Sequence, residues 1–244
     1  MSTGSTGGTV CKVCPHACRL EPGERGVCGV RVVQDGQVRS TNYALSTALA
    51  LDPIEKKPLA RFYPGSLVLS IGGFGCNLDC PFCQNWQIAR GIPDYAGEKP
   101  DEKRADESAG AVNKLRTTAA RIVETQAIET RTAEDRTKAQ ATRARAYPLH
   151  ARYIVPEELV AQALVLRERG NIGIAFTYNE PLVSYEYVRD TAILAHDAGL
   201  KTVLVTNGYA NPGTLAEVFA HIDAANIDLK AFNQDFYDLV GAPR

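Results

Sequence analysis

Predicted strands and helices alternate along the second half of the chain. Three of the four predicted helices begin at proline, which suits a first helical turn, and three are followed directly by glycine. The predicted strands are Leu67–Ile71, Ile172–Tyr178, Lys201–Thr206 and Ala224–Leu229, and the predicted helices are Pro156–Arg169, Pro181–Ala198, Pro212–Ile222 and Phe232–Val240. Alternation at this spacing predicts parallel βαβ units and an α/β fold.

The sequence also predicts the domain organisation. Residues 1–10 have the composition of a flexible tail, and residues 11–62 form a Cys-rich region with a β-hairpin at Asp35-Gly36. Residues 63–244 form a partial βα barrel, which a low-complexity insertion at 97–147 interrupts; this insertion is either partly helical or disordered. Four strands complete only part of a barrel and leave the last strand edge unpaired, so we expect a chain truncated at its C-terminus.

Three cysteines directly follow the first predicted strand. Cys76, Cys80 and Cys83 are spaced Cys-x3-Cys-x2-Cys. Thiolates are the usual ligands of iron–sulfur clusters, and three local ligands leave one iron of a four-iron cluster free to bind a small molecule. The alternative is half of a zinc ribbon, although structural zinc uses four ligands, usually as two Cys-x2-Cys pairs. The spacing therefore favours an open iron–sulfur cluster in an enzyme.

Four further cysteines lie near the N-terminus. Cys11, Cys14, Cys18 and Cys28 could supply a complete set of four thiolates, which predicts a closed site with a structural or electron-transfer role. Zinc and a second iron–sulfur cluster both remain possible occupants, and His16 could replace one ligand. No cysteine follows Cys83, so the thiols are concentrated where ligands are needed.

Polar residues stand at the ends of the remaining predicted strands. Glu180 follows the second strand, Thr206 and Asn207 the third, and Asp228 and Lys230 the fourth. Active sites of βα barrels are built on the C-terminal ends of the strands. Each of these residues alone could be an ordinary turn or cap residue. Their coincidence with the cysteine loop favours a functional site.

Charge and hydropathy restrict the partners and the location. The net charge of −1 argues against a nucleic-acid partner. No apolar run approaches the ~20 residues that span a bilayer, and the first residues lack the pattern of a signal peptide. We therefore expect a cytoplasmic protein without membrane contact, whose cysteines are reduced.

Six motifs extend over most of residues 11–95 and 152–240. They are Cys14-Pro15-His16-Ala17-Cys18, Asp52-Pro53-Ile54-Glu55-Lys56-Lys57-Pro58-Leu59, Phe62-Tyr63-Pro64-Gly65, Gly75-Cys76-Asn77-Leu78, Phe82-Cys83-Gln84-Asn85-Trp86 and Tyr178-Asn179-Glu180-Pro181. With these motifs the chain resembles the radical S-adenosylmethionine (SAM) enzymes, and most closely the AmmeMemoRadiSam system radical SAM enzymes. Those enzymes are in turn similar to pyruvate formate-lyase activating enzymes. The resemblance implies a partial (β/α) barrel of the radical SAM type.

The resemblance also implies the cofactors. Cys76, Cys80 and Cys83 would hold a [4Fe–4S] cluster whose open iron chelates the amino and carboxylate groups of S-adenosyl-L-methionine. One electron from the cluster would break a sulfur–carbon bond, and the resulting 5′-deoxyadenosyl radical would abstract hydrogen from a substrate. The cofactors supply this chemistry, and the protein supplies placement and exclusion of water.

Cofactor-binding roles follow for residues that match the family motifs. Phe82 would lie near the adenine. Glu180 occupies the place of the acidic residue that binds the methionine amine, although Tyr178-Asn179 replace the Gly-Gly that precedes this residue in relatives. Thr206 and Asn207 match a Thr-Asn-Gly run that lies against the cofactor.

One further match lies at the end of the fourth predicted strand. Asp228 and Lys230 match an Asp-x-Lys of the activating enzymes, in which Lys230 could neutralise a carboxylate. The alternative is that Lys230 is an ordinary surface lysine without a role in the site. In those enzymes Asp often precedes the Thr-Asn-Gly run, whereas here it is Val205, which argues against a cation site beside the carboxylate.

The expected function is that of a radical SAM enzyme acting on a protein or a small molecule. An electron donor such as flavodoxin or ferredoxin would be a partner. Activation of a glycyl-radical enzyme is one alternative, and a non-catalytic iron–sulfur or metal-binding module is another. The substrate itself is not encoded in any of these motifs.

Overall fold

The computed structural model describes residues 8–91 and 151–242. The predicted insertion at 97–147 lies outside the described residues, as do residues 1–7 of the predicted tail. Strand β1, Thr9–Val10, pairs antiparallel with β2, Arg19–Leu20. The tail prediction was therefore wrong for Thr9 and Val10, because a two-residue ladder depends on its partner strand and not on local composition.

A five-stranded sheet lies at the centre of the described structure. Its strands are β6 Ala48–Pro53, β7 Leu67–Gly72, β9 Asn171–Phe176, β10 Lys201–Thr206 and β11 Ala224–Ile227. The order across the sheet is β11-β10-β9-β7-β6, with all neighbours parallel except β6, which runs antiparallel to β7. The predicted α/β class with parallel βαβ units is thus confirmed, and β11 and β6 are the two edge strands.

Shorter pairs and helices complete the described fold. The predicted hairpin is confirmed as β3 with β4, and β5 pairs antiparallel with β8. These strands are β3 Arg31–Gln34, β4 Gln37–Ser40, β5 Leu45–Ser46 and β8 Arg152–Tyr153, and the helices are α1 Trp86–Arg90, α2 Pro156–Val165, α3 Tyr185–Asp197, α4 Pro212–Phe219 and α5 Gln234–Leu239. Single 3-10 turns at Ile54–Lys56, Leu166–Arg169 and Pro181–Ser184 occupy helix ends and connections.

Side-chain alternation along the strands separates the two faces of the sheet. Leu69, Ile174 and Leu204 pack in the large core under the helices. Their sequence neighbours, such as Ala175 and Val203, belong to a smaller cluster on the opposite face. Because successive side chains of a strand point to opposite faces, both sides of these buried strands are apolar, as in other parallel sheets.

Strand β6 is absent from the sequence prediction, which assigned Asp52–Pro58 to a polar connection. Ala48–Pro53 alternate Ala and Leu and end in Asp-Pro, a pattern with little β preference. The strand forms because β7 offers an open edge, and Pro53 is tolerated because β6 is itself at the edge of the sheet. Tertiary pairing therefore outweighs local propensity here.

A buried ionic network connects β6 to the end of β9. The Asp52 carboxylate accepts hydrogen bonds from Lys57 Nζ at 2.8 Å and from the Tyr178 hydroxyl at 2.5 Å. Lys56 Nζ donates to its other oxygen at 2.8 Å. Burial alone would raise the pKa of Asp52, but these three donors overcome that effect and hold the pKa far below its usual range. The Lys57 side chain is only 3% exposed, so this pair is shielded from water.

Replacing Asp52 with Asn should weaken the acid dependence of stability. The folded-state pKa of Asp52 is lowered, so its contribution is fully present above about pH 4, the ordinary carboxyl value, and is lost as the pH falls towards the folded pKa. Urea unfolding midpoints measured from pH 7 to pH 3 should fall more steeply for the wild type than for Asp52→Asn. Parallel curves for the two proteins would contradict this assignment.

Arg31 attaches the Cys-rich region to the helical layer. Its guanidinium, almost fully buried, forms a bidentate pair with Glu186 at 2.6 Å for each contact and donates to the Val183 carbonyl at 2.8 Å. Planar bidentate pairing of this kind fixes orientation as well as distance. The hairpin is thereby held against the start of α3.

Among the described residues, no helix combines the length and apolar character needed to cross a membrane.

Candidate functional site

The cysteine loop begins at the carboxyl end of β7. Gly75 has a φ of +90°, and a Cβ added there would lie 2.7 Å from the Cys28 carbonyl oxygen and from Val30 Cγ1. Only glycine combines this conformation with such close packing. The loop is thus pressed against the Cys-rich region directly before Cys76.

The three thiols of the loop share an apolar environment. Cys76, Cys80 and Cys83 pack with Leu78, Val240 and Ala242 and with the rings of Tyr209, Phe236 and Tyr237. The Asp79 amide donates to the Val240 carbonyl at 2.7 Å, so the residues after α5 cover this loop. The arrangement partly excludes water from the thiols.

Burial keeps the thiols protonated in the absence of a ligand. Burial, with a smaller contribution from the Glu180 charge, raises the pKa of Cys76 to about 12. Burial also raises the pKa of Cys80 and of Cys83, while the Lys230 ammonium opposes this rise. A coordinating thiol is deprotonated outright by its metal, so these groups need a cationic partner to become thiolates. An iron–sulfur cluster is a partner of this kind.

The thiols of the loop lie close together but are not arranged around a single ion. Across residues 8–91 and 151–242, no three His, Cys, Asp or Glu side chains gather closely enough to hold a single metal ion. A cubane of four irons binds each thiolate through a different iron and so spreads its ligands farther apart than one ion does. Cys76, Cys80 and Cys83 nevertheless pack in one cluster with Leu78, Val240 and Ala242, so the three side chains are neighbours.

Glu180 is a buried support beneath the site. Its Oε1 accepts from the Thr206 hydroxyl at 2.6 Å and from the Leu182 amide at 3.0 Å, and its Oε2 accepts from the Asn207 amide at 2.7 Å. Only 3% of the residue is exposed, and burial raises the pKa of the carboxyl although the three donors oppose that rise. The carboxylate therefore connects the end of β9 to the end of β10.

Asn207 extends this connection to the cysteines. Its Nδ2 donates to Asn77 Oδ1 at 2.9 Å and lies 3.8 Å from Cys76 Sγ in a weaker contact, and its Oδ1 accepts from the Tyr209 amide at 2.9 Å. The predicted residues Glu180, Thr206 and Asn207 are thus brought together next to Cys76.

Phe82, Asp228 and Lys230 form the other side of the site. Lys230 Nζ pairs with Asp228 and lies 5.9 Å from the centroid of the Phe82 ring. The Lys230 side chain is 16% exposed, whereas Phe82 is 55% exposed, and its ring also lies 5.9 Å from the ring of Phe236. An exposed aromatic face beside a partly shielded ammonium can accept a planar, anionic or zwitterionic ligand.

Two asparagines in this site were missing from the sequence prediction. Asn179 Oδ1 accepts from the Gly73 amide at 3.0 Å, and its Nδ2 donates to the Gly75 carbonyl at 3.1 Å. Asn77 Nδ2 donates to the Tyr209 carbonyl at 2.6 Å. Both residues stand within the quoted motifs, but only their long-range contacts reveal that they hold the cysteine loop.

The N-terminal cysteines lie beside the same loop. Cys11 and Cys14 are buried, and Cys18 and Cys28 are partly buried. Asn77 contacts this region as well, since its backbone carbonyl lies 2.8 Å from His16 Nε2. The structure therefore places both cysteine groups on adjoining segments.

Glu180→Ala should destabilise the protein although it removes none of the thiols. Three buried donors would lose their acceptor at about 1–3 kcal/mol each, and relief of the buried charge would offset part of this, so we expect a net loss of about 2–3 kcal/mol. Guanidinium unfolding measures the difference. The control Glu217→Ala removes an exposed pair with Arg189 and should cost less than about 1 kcal/mol. Equal losses in the two variants would contradict a supporting role for Glu180.

Comparison with known proteins agrees with this geometry. The sequence pattern of the Radical SAM superfamily matches residues 70–244, which contain the cysteine loop and the four parallel strands except the first residues of β7. An uncharacterized protein of Methanocaldococcus jannaschii is 33% identical over 231 residues, which are 94% of this chain and 51% of that protein. The chain thus spans about half the length of this relative.

A shorter similarity connects the chain with an activating enzyme. The 4-hydroxyphenylacetate decarboxylase activating enzyme of Clostridioides difficile is 27% identical over 67 residues, which are 28% of this chain and 21% of that enzyme. The superfamily match is far longer and includes all three cysteines of the loop. With its parallel sheet and its cysteine loop at the carboxyl end of the first parallel strand, this chain belongs to the Radical SAM superfamily.

Proposed function

We propose that this chain is a radical SAM enzyme in which Cys76, Cys80 and Cys83 hold a [4Fe–4S] cluster. The observation that carries the proposal is the meeting of three packed thiols with Asn207, next to Cys76, and with Lys230, next to Phe82, at one end of the parallel sheet. When bound, the cluster and S-adenosyl-L-methionine supply a one-electron cleavage that removes hydrogen from a substrate and leaves 5′-deoxyadenosine.

The residues around the thiols would place the S-adenosyl-L-methionine. Phe82 offers an exposed ring for the adenine, and the Lys230 ammonium, which is paired with Asp228, would balance the ligand carboxylate. Glu180 uses three of about four acceptor positions for protein donors, so one position on Oε2 remains for the ligand amine. Thr206 is held by the same carboxylate and shapes the floor of the site.

The substrate is proposed only as a class, a protein or a small molecule with an abstractable hydrogen. The cluster needs one electron per cleavage, so a flavodoxin or ferredoxin type donor would be a partner. A reducing, cytoplasmic location would suit these oxygen-sensitive groups. No nucleic acid or membrane has a role in this proposal.

A glycyl-radical enzyme as substrate is the second candidate. The similarity to the 4-hydroxyphenylacetate decarboxylase activating enzyme favours it, because that relative is named as the activator of another enzyme.

We also propose that the chain belongs to the AmmeMemoRadiSam branch. The support for this branch is the set of long motifs, including Asp52-Pro53-Ile54-Glu55-Lys56-Lys57-Pro58, whose Asp and second Lys form the buried network.

Anaerobic reconstitution tests the proposal. The purified chain is loaded with iron and sulfide, reduced with dithionite and mixed with S-adenosyl-L-methionine, and 5′-deoxyadenosine is measured by chromatography. The product should form in proportion to the cluster content. A fully loaded chain that yields none would instead favour a non-catalytic iron–sulfur module.

A further inference from the structure

The four N-terminal cysteines are held together by backbone pairing. The Cys11 amide donates to the Cys18 carbonyl at 2.9 Å, which places these residues at the end of the β1–β2 ladder. The Ala17 amide donates to the Cys14 carbonyl at 3.1 Å, and this bond closes a tight turn between Cys11 and Cys18. A Cβ at Gly26 would lie 3.6 Å from Cys18 Sγ, so the segment that leads to Cys28 folds back onto the same group.

The surroundings of these thiols partly exclude water. Cys11 and Cys14 are buried, and Cys18 packs with Cys11 against Val13 and Leu20. The buried Arg31 side chain borders the same group, since a Cβ at Gly26 would lie 3.6 Å from Arg31 Cβ as well as from Cys18 Sγ.

The four-thiol region holds the loop of Cys76 from both sides. On one side, the Cys28 carbonyl packs against Gly75, where a Cβ would come within 2.7 Å. On the other side, His16 Nε2 lies 2.8 Å from the Asn77 carbonyl oxygen. Tyr209 joins this contact through an edge-on stack with His16, with ring centroids 5.4 Å apart. Cys76 thus lies between two residues that both touch the N-terminal cysteine region.

We propose that Cys11, Cys14, Cys18 and Cys28 bind a second iron–sulfur cluster, closed by four thiolates, which positions the loop of Cys76 through Cys28 and Asn77. Four cysteines are the complete ligand set of such a cluster. A single zinc ion would need its ligands at about 2.3 Å from one centre, and no such group exists among the described residues. The claim that these four cysteines bind a cluster is independent of the proposed function. The claim that this cluster positions the loop of Cys76 rests on the proposed function.

Two variant sets separate the sites. One protein carries Cys76→Ala, Cys80→Ala and Cys83→Ala, and the other carries Cys11→Ser, Cys14→Ser, Cys18→Ser and Cys28→Ser. After anaerobic reconstitution, iron, acid-labile sulfide and zinc are measured per chain. If both clusters are cubanes, the wild type should hold about 8 irons and each variant set about 4, because each retains one cluster. The first set should still give an electron paramagnetic resonance signal after reduction.

Several outcomes would overturn the proposal. They are one zinc per chain without iron in the Cys76, Cys80 and Cys83 variant set, no metal at all in that set, or equal iron in the wild type and the N-terminal set. If the N-terminal set does not fold, Cys18→Ser, which changes one partly buried ligand, is added by itself to the protein that carries Cys76→Ala, Cys80→Ala and Cys83→Ala. This change should lower the iron content of that protein. Absence of 5′-deoxyadenosine from the wild type would refute the proposed function but not the second cluster.

The positioning part has its own readout. In His16→Ala, which keeps all seven thiols, the iron content should stay at the wild-type level. The signal of the cluster at Cys76 should nevertheless change in shape or potential, because the contact between His16 and the Asn77 carbonyl is lost. Lys12→Ala, a change of an exposed side chain nearby, serves as the control. An unchanged signal in His16→Ala would contradict the coupling between the two sites.

Discussion

Alanine at Cys80 should abolish the formation of 5′-deoxyadenosine. With two thiolates left on the loop, two irons of the cluster would lack a protein ligand, and the cluster should be lost or misplaced. We expect at least a hundredfold loss of product per chain, on the order of the largest losses that follow removal of a metal-site contact. The measurement is the anaerobic assay with dithionite and S-adenosyl-L-methionine.

Val160→Ala is the matched control for this experiment. It removes buried apolar atoms from α2 and leaves all seven cysteines in place. The control should therefore keep most of the product. Product formation that survives in Cys80→Ala would contradict the ligand assignment. Loss of product in both variants would mean that the assay reports folding rather than the cluster.

Alanine at Asp52 should cause the largest loss of stability. The change leaves the Lys57 ammonium buried without its 2.8 Å partner and removes the acceptor of the Tyr178 hydroxyl. Loss of one partner of a buried ion pair typically costs about 3–5 kcal/mol. Tyr178 also has a φ of +72°, unfavourable for a tyrosine, and its bond to Asp52 helps to hold that conformation. Guanidinium unfolding at pH 7 measures the change.

Two controls test the cause of this loss. Asp197→Ala removes an exposed carboxylate at the end of α3 and should change the free energy of unfolding by less than about 0.5 kcal/mol. The double variant Asp52→Leu/Lys57→Met replaces both charges with apolar groups and should recover part of the stability, because it leaves no unpaired buried charge. If the double variant is as unstable as Asp52→Ala, the unpaired ammonium is not the cause.

Local pattern was sufficient for the parallel strands and for the position of the site. Lys201–Thr206 was predicted with its observed bounds, because a buried strand between a helix ending at glycine and Asn-Gly is marked at both ends. Since the ends of parallel strands meet at one edge of a sheet, the order of the motifs along the chain already predicted that Glu180, Thr206 and Asn207 would meet near Cys76. The structure confirms that meeting.

The individual hydrogen bonds and ion pairs that join distant segments could not be read from the sequence. Asp52 and Tyr178 are 126 residues apart and Arg31 and Glu186 are 155 apart, and no local period relates such pairs. Strand β6 forms only because β7 has a free edge to pair with. Sequence alone therefore determined the class of fold and the place of the cysteine loop at the end of a strand, because both depend on short-range spacing. The tertiary structure alone decided which residues hold that loop, because burial and hydrogen bonding of polar groups depend on what the fold brings next to them.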